Sequence, residues 1–139
     1  MTRPTCLVIT PSEAGTSWTP VCAVDRLTPE RAVAALTPDG AQVALMRLAN
    51  DEVFAVGHRD PYALANVISR GVVGTRTLDG ETYDVIQSPL YKQAFDVRTG
   101  EDVADRAVRL GTWAVRERDG MIELGERTSD YAEPEQTTR

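Results

Sequence analysis

A chain of 139 residues, with 42% hydrophobic and 26% charged residues, has the size and composition of one soluble globular domain. Ten Gly and eight Pro residues are too few for a collagen-like or disordered chain. The 21 Asp and Glu residues outnumber the 15 Lys and Arg residues, and the net charge of −6 argues against binding nucleic acid through a basic surface.

The sequence has no run of about 18 consecutive apolar residues, so no membrane-spanning helix is predicted. The N-terminal apolar run, residues 6–9, is shorter than the roughly 7–15 residues of a secretory signal. A cytoplasmic location is therefore expected, and Cys6 and Cys22 would normally stay reduced there. Neither cysteine stands at a metal-binding spacing from His58, the one histidine, so no metal site is predicted.

Two polar segments flank the central part of the chain. Residues 1–17 are predicted to form a flexible N-terminal tail and residues 126–139 a polar C-terminal tail. Neither segment could bury enough apolar surface to offset the entropy lost on ordering. The folded domain is therefore expected to span residues 18–125.

The turn signals in this domain are those of a β protein. Asp-Gly pairs at 39–40, 79–80 and 119–120, together with Asn50-Asp51, separate apolar runs and favour tight hairpin turns. The predicted strands are Trp18–Val24, Ala41–Leu48, Val53–Gly57, Tyr83–Gln87, and the pair Thr112–Glu117 and Met121–Leu124. Several short strands with frequent turns predict a small barrel or sandwich.

Two segments carry helix-start signals, a capping residue followed by Pro at the first helical position. The run Ala32–Leu36 follows Thr28-Pro29, and the run Tyr62–Ser69 follows Asp60-Pro61. Propensity favours a helix in both, and a strand over Arg31–Leu36 remains an alternative.

Two sequence blocks resemble the cluster-binding loops of Rieske-type iron–sulfur domains. The first is VFAVGHRDPY, residues 53–62, and the second is SPLYKQAFDVRTG, residues 88–100. In that family the first loop reads Cys-Pro-His, and the second reads Cys-Pro-x-His and runs into Phe-Asp-x-x-Thr-Gly. Here Pro61, Pro89 and the stretch Phe95–Gly100 stand where the family has them.

The four ligand positions of that pattern are changed. Asp60 and Ser88 stand at the cysteine positions, and Tyr62 and Tyr91 at the histidine positions. A Rieske cluster needs two thiolates and two imidazoles. Hydroxyl groups keep their protons at neutral pH, and one carboxylate cannot replace four such ligands, so no [2Fe–2S] cluster is expected. His58 lies outside the ligand pattern and is interpreted as an ordinary loop or strand-end histidine.

Five blocks are similar to the small subunits of bacterial NAD(P)H-dependent assimilatory nitrite reductases. They are Trp18–Cys22, Gln42–Leu45, Arg59–Pro61, Ser69–Gly74 and Ser88–Gln93, and the resemblance covers roughly residues 18–125. It implies an all-β fold, a Rieske-like antiparallel β-sandwich with a small loop subdomain and one or two short helices. It also favours the strand over Arg31–Leu36.

The same resemblance implies an accessory role in reducing nitrite to ammonium with NADH or NADPH. In such enzymes the large subunit carries flavin, sirohaem and an iron–sulfur cluster. This chain is expected to have no catalytic centre and no cofactor of its own. Its implied partner is the large subunit, with no nucleic acid and no membrane.

The candidate partner-binding residues are Arg59, Arg70, Tyr91 and Lys92. Tyr and Arg are enriched at the energetic centres of interfaces, and basic groups on an acidic chain call for an acidic partner surface or an anion such as nitrite. In a competing interpretation, Tyr62 and Tyr91 fill the volume of the lost cluster and Asp60 caps a turn or helix.

Three other functions are considered. A true Rieske ferredoxin conflicts with the changed ligands. A stand-alone regulatory or binding β-domain of Rieske-like fold without a cluster would have no reductase partner. An independent enzyme using His58 and Asp60 as acid and base is supported only by the nearness of these residues in the sequence.

Overall fold

The computed structural model describes residues 18–90 and 92–134. The predicted tail over residues 1–17 (with Cys6), residues 135–139 and Tyr91 lie outside the described residues. The strands, in chain order, are β1 (Thr19–Ala23), β2 (Arg31–Leu36), β3 (Gln42–Arg47), β4 (Val53–Gly57), β5 (Arg59–Asp60), β6 (Ala65–Asn66), β7 (Val72–Leu78), β8 (Glu81–Gln87), β9 (Ala94–Asp96), β10 (Glu101–Asp102), β11 (Asp105–Arg109), β12 (Thr112–Arg118) and β13 (Met121–Ser129). Two short 3₁₀ helices span Val24–Arg26 and Ile68–Arg70.

The strands form three antiparallel sheets. One has six strands in the order β1-β13-β12-β4-β3-β2, and a second has five in the order β11-β10-β9-β8-β7. The two-stranded sheet β5-β6 forms a small loop subdomain beside them. The predicted all-β antiparallel fold with a small loop subdomain is confirmed.

The apolar run of β3 reflects burial on both faces of the strand. Val43 and Leu45 belong to the core cluster that contains Trp113. Ala44 and Met46, on the opposite face, belong to a second cluster that includes Phe95 of the five-stranded sheet. The six-stranded sheet therefore has core on either side of β3, and the second cluster joins the two large sheets.

The predicted hairpin turns are present. Asp79 and Gly80 have φ of 52° and 82° between β7 and β8, and Asp119 and Gly120 have φ of 54° and 79° between β12 and β13. Positive φ at both central residues is the geometry that matches the twist of paired strands. Asp51, between β3 and β4, also has a positive φ of 74°.

Both predicted helices are replaced by other structure. Every residue of β2 pairs with β3, from Arg31 opposite Arg47 to Leu36 opposite Gln42, so sheet pairing overrides the local helix signal. The strand alternative over Arg31–Leu36 is the correct one.

The second helix signal gives a turn. The carboxylate of Asp60 accepts the N–H groups of Tyr62 and Ala63, as a cap would. The chain then reverses at Leu64, whose φ is 57°, and Ala65 pairs back with Asp60. Only the short 3₁₀ helix at Ile68–Arg70 remains.

The predicted C-terminal tail begins inside a strand. β13 continues past residue 125 to Ser129, and Ala132 exchanges two backbone hydrogen bonds with Arg109 at 2.8 and 3.0 Å. Polar residues can occupy such a strand because residues 126–128 keep their side chains exposed while the backbone pairs with β12. Within the described ranges no helix is both long and apolar enough to cross a membrane.

Candidate functional site

Two loops contact each other, and together they are called the tip. The first loop is residues 59–66, which contain β5 and β6, and the second is residues 88–93, which connect β8 to β9. They correspond to the two blocks with altered ligand positions.

A buried side-chain hydrogen bond joins the two loops. Asp60 and Ser88 have no exposed surface, and the hydroxyl of Ser88 donates a hydrogen bond to Oδ2 of Asp60. The other carboxylate oxygen accepts the N–H groups of Tyr62 at 2.8 Å and Ala63 at 3.2 Å. Ser88 also donates its backbone N–H to the carbonyl of Gln93 at 2.8 Å. The recorded hydrogen bonds of both side chains therefore stay within the tip.

Tyr62 connects the first loop to the five-stranded sheet. Its hydroxyl donates a hydrogen bond to Oδ2 of the buried Asp102 at 2.5 Å, and its ring lies 6.4 Å from that of Phe95. Burial, together with the hydrogen bond to Asp102, raises the pKa of Tyr62 well above its ordinary value. The side chain is half-buried and packs against the core, as the volume-filling interpretation requires.

These residues do not fit a [2Fe–2S] cluster. Asp60 and Ser88, at the two predicted cysteine positions, are hydrogen-bonded to each other, with the Ser88 hydroxyl as a protonated donor. The phenol at the first histidine position is also a protonated donor. Thiolates and imidazoles bind such a cluster because they offer a free electron pair on sulfur or nitrogen, and neither is present here. Over residues 18–90 and 92–134, no three His, Cys, Asp or Glu side chains gather in a metal-binding group.

His58 is held inside the fold beside the first loop. Its Nδ1 accepts the backbone N–H of Ser69 at 3.2 Å, and its own backbone bonds to Gln42 and Ile68. Burial, and then the charge of Arg70, lowers the pKa of His58. Its recorded bonds and those of Asp60 run to other groups, so the arrangement does not form an acid–base pair.

Arg59 is engaged by the C-terminal segment. Its guanidinium lies 3.0 Å from a carboxylate oxygen of Glu133, and its backbone N–H donates to the hydroxyl of Tyr131 at 3.2 Å. A Cβ on Gly57 would lie only 2.0 Å from the hydroxyl oxygen of Tyr131, so a larger residue at position 57 would clash with this contact. This contact differs from the prediction of a polar tail over residues 126–139, although a glycine at the end of the run VFAVG is a signal of close approach.

Arg70 and Lys92 are both exposed. Across the described residues no ion pair is recorded for either side chain. Lys92 is the single lysine of the chain and has a positive φ of 66°. Tyr91, the remaining candidate, lies outside the described residues. The candidate cations thus divide into one that is paired within the chain and two that have no recorded ion pair.

Exposed apolar side chains were not predicted at the tip. Among the described residues the large exposed ones are Leu64, Val72 and Leu90, at 54%, 65% and 50% exposure. Leu64 and Leu90 lie in the two loops, and Val72 pairs with Gln87, the residue before Ser88. The sequence contains no clear signal for this exposure, because it depends on which way each loop folds.

The fold and the paired loops define the class of protein. A family model described as a Rieske-like [2Fe-2S] domain matches residues 17–125, and the chain belongs to that family.

More specific similarity is to nitrite reductase subunits. The chain is 34% identical over 108 residues to the nitrite reductase (NADH) small subunit of Escherichia coli K12, which covers 77% of this chain and 95% of that protein. A crystal structure of an NADH-dependent nitrite reductase small subunit from Mycobacterium tuberculosis has 39% identity and a TM-score of 0.73, covering 81% of this chain and 97% of the other. Within its family, the chain therefore groups with the small subunits of nitrite reductase.

A third match is to a much longer protein. The nitrite reductase [NAD(P)H] large subunit of Klebsiella oxytoca is 31% identical over 117 residues. The match covers 83% of this chain but only 11% of that protein. The chain thus corresponds to one segment of that relative.

Proposed function

We propose that this chain is the accessory subunit of an NAD(P)H-dependent nitrite reductase and binds a large subunit that carries the redox cofactors. Flavin, sirohaem and an iron–sulfur cluster would reside in that large subunit, where nitrite would be reduced to ammonium. The complex would be cytoplasmic, where NAD(P)H is available.

The observation that carries the proposal is the hydrogen bond between Asp60 and Ser88. The two hydrogen-bonded residues stand at the positions predicted to correspond to the thiolate ligands of a cluster-binding Rieske-like domain. A chain with these residues has no cluster through which to pass electrons, so its use in a reductase would be structural or regulatory.

The match to the Klebsiella oxytoca large subunit supports the choice of partner. That protein contains, within one polypeptide, a segment similar to nearly all of this chain. Two modules that occur both fused and separate would keep the same contact in either arrangement, and the fusion would raise their effective concentration.

The tip is the proposed contact surface, with Arg59, Tyr91 and Lys92 in its two loops, and Arg70 in the 3₁₀ helix after the first loop, as candidate contact residues. Arg70 and Lys92 are the strongest candidates. Neither has a recorded ion pair among the described residues, so each could form a new ion pair with an acidic partner surface. Arg59 would have to exchange Glu133 for a partner carboxylate, so its net contribution would be smaller.

The test is gel filtration of the purified chain with the cognate large subunit, combined with iron and sulfide analysis of each. Co-elution, with iron and sulfide confined to the large subunit, is expected. Separate elution would contradict the proposed partnership. Stoichiometric iron and acid-labile sulfide on this chain would contradict the non-redox role.

A further inference from the structure

Two of the three large exposed apolar side chains of the described residues lie in the tip. Leu64 projects from the first loop and Leu90 from the second, each about half exposed, and Val72 lies on the strand next to the one that leads into the second loop. Scattered single exposed apolar residues are ordinary on protein surfaces. Two such leucines on loops that a buried hydrogen bond joins indicate an interaction surface.

Leu64 has an unfavourable backbone conformation and an exposed apolar side chain. It has a φ of 57°, in the left-handed region that disfavours bulky side chains, and it leaves 54% of its surface in water. Glycine or asparagine would adopt the same backbone with less strain and no exposed hydrocarbon. Unneeded strain at an exposed site is a common mark of a functional position.

The Asp60–Ser88 pair fixes the backbone at both leucines. The N–H of Leu64 donates to the carbonyl oxygen of Asp60 at 2.7 Å, and the N–H of Leu90 donates to Oγ of Ser88 at 3.2 Å. Since Ser88 also donates to the Asp60 carboxylate, one hydrogen-bonded unit holds both leucine-bearing turns. A surface already held in place loses less conformational entropy on binding.

The charges around the leucines indicate the kind of partner. The chain has a net charge of −6, yet the second loop carries its single lysine, and Arg70 lies just before the strand that begins at Val72. An apolar patch beside cations without recorded ion pairs suits an apolar surface bordered by carboxylates. Because a segment of the Klebsiella oxytoca large subunit is similar to this chain, the large subunit is the partner that we assign to this surface.

We propose that Leu64 and Leu90 are the apolar anchors by which this chain docks on the large subunit, held in place by the Asp60–Ser88 hydrogen bond. This inference rests on the proposed function and names the part of the chain that makes the contact.

The test compares Leu64→Asn, Leu90→Asn and the double variant with the unmodified chain. The control is Asp119→Asn, which changes another non-glycine residue of positive φ, in the turn between β12 and β13. Affinity for the purified large subunit is measured by calorimetry, thermal unfolding is followed on the chain alone, and self-association by sedimentation.

Each single variant is expected to bind about tenfold more weakly and the double variant more weakly still, while the control binds like the unmodified chain. The melting temperature of Leu64→Asn should be equal to or above that of the unmodified chain, because asparagine tolerates positive φ. A merely structural leucine would show the reverse: lower melting temperature and unchanged affinity.

Unchanged affinity in the double variant, with the unmodified chain binding well, would overturn the anchor assignment and leave the proposed function intact. If the unmodified chain does not bind the large subunit, both fail. If the substitutions instead abolish self-association of the chain, a second copy is the occupant and the inference is overturned.

Discussion

Asp60 and Ser88 are 28 residues apart in the sequence and share a buried hydrogen bond at the positions predicted to correspond to the cysteines of Rieske loops. In a cluster-binding domain, an iron ion bound by the two cysteines would join the two loops. Here a carboxylate and a hydroxyl make the bridge, and the same carboxylate also holds the turn of the first loop. The paired-loop architecture can therefore be held together by side-chain hydrogen bonds.

Removing the Ser88 hydroxyl should destabilise the fold. In Ser88→Ala one oxygen of the buried Asp60 carboxylate loses its donor, and the expected decrease in the free energy of unfolding is about 1–3 kcal/mol. Urea denaturation measures it. The matched control is Thr77→Ala, which removes a hydroxyl from an exposed pair with Thr82 and should cost less than about 1 kcal/mol. If both substitutions lower the free energy of unfolding equally, the buried Asp60–Ser88 hydrogen bond stabilises the fold no more than an exposed one.

A close backbone approach explains Gly71, which follows the 3₁₀ helix of Ile68–Arg70. A Cβ at this position would lie 2.0 Å from the carbonyl oxygen of Gln87, in the strand that leads into the second loop. Gly71→Ala should therefore lower the free energy of unfolding by about 1–3 kcal/mol or more, because backbone must move.

Gly74→Ala is the control for that substitution. Gly74 lies three residues further along, and a Cβ there would meet nothing within 4 Å. Chemical denaturation should find Gly74→Ala within about 1 kcal/mol of the unmodified chain. A Gly71→Ala variant as stable as Gly74→Ala would contradict the tight contact with Gln87.

His58 should titrate below its ordinary pKa of about 6.5. Burial, and secondly the charge of Arg70, lowers the pKa in the folded state, so folding favours the neutral ring. The contribution of His58 to stability is then complete above the unfolded-state pKa and is lost as pH falls through the lower folded-state pKa. As the single histidine, it gives one imidazole signal in NMR of a tag-free protein.

Replacing Arg70 by Gln should raise the pKa of His58 towards its ordinary value and leave the burial effect in place. A folded-state pKa at or above 6.5 in the unmodified chain would contradict the buried, neutral ring that accepts the Ser69 N–H.

The single lysine offers a direct probe of the tip. Lys92 is exposed in the chain alone and should react readily with an amine-acylating reagent. In the complex with the large subunit we expect its acylation to slow by about tenfold, because a docked surface excludes the reagent. Mass spectrometry of the peptide containing Lys92 measures the rate, and the N-terminal amine is the internal reference. Equal rates at Lys92 in the free chain and the complex would place the contact elsewhere.

Local sequence signals predicted the hairpins and most central strands well. Asp79-Gly80 and Asp119-Gly120 need only their own backbone preference to form the observed turns. β7 was missed because Gly74 interrupts its apolar run, and β11 because its first three residues are polar or small and exposed.

Long-range contacts explain the remaining differences. The residues of β2 carry a helix-start signal, but all six find partners on β3, and local propensity cannot anticipate that pairing. The changed ligand positions were visible in the sequence, since they are a matter of residue type. The bond between Asp60 and Ser88, the contact of Tyr131 with Gly57 and the exposure of Leu64 were not, because each depends on how segments distant in the sequence come together.

We propose that this chain supports nitrite reduction without carrying electrons itself. The most direct test is NAD(P)H-dependent nitrite consumption by the large subunit, assayed with and without stoichiometric chain, using the gel-filtered complex. We expect higher activity, or activity that survives longer, with the chain present, and the same gain from Tyr62→Phe, which removes the phenolic hydroxyl from a predicted ligand position. If adding the chain changes neither the rate nor the lifetime of nitrite consumption, the proposed supporting role is contradicted.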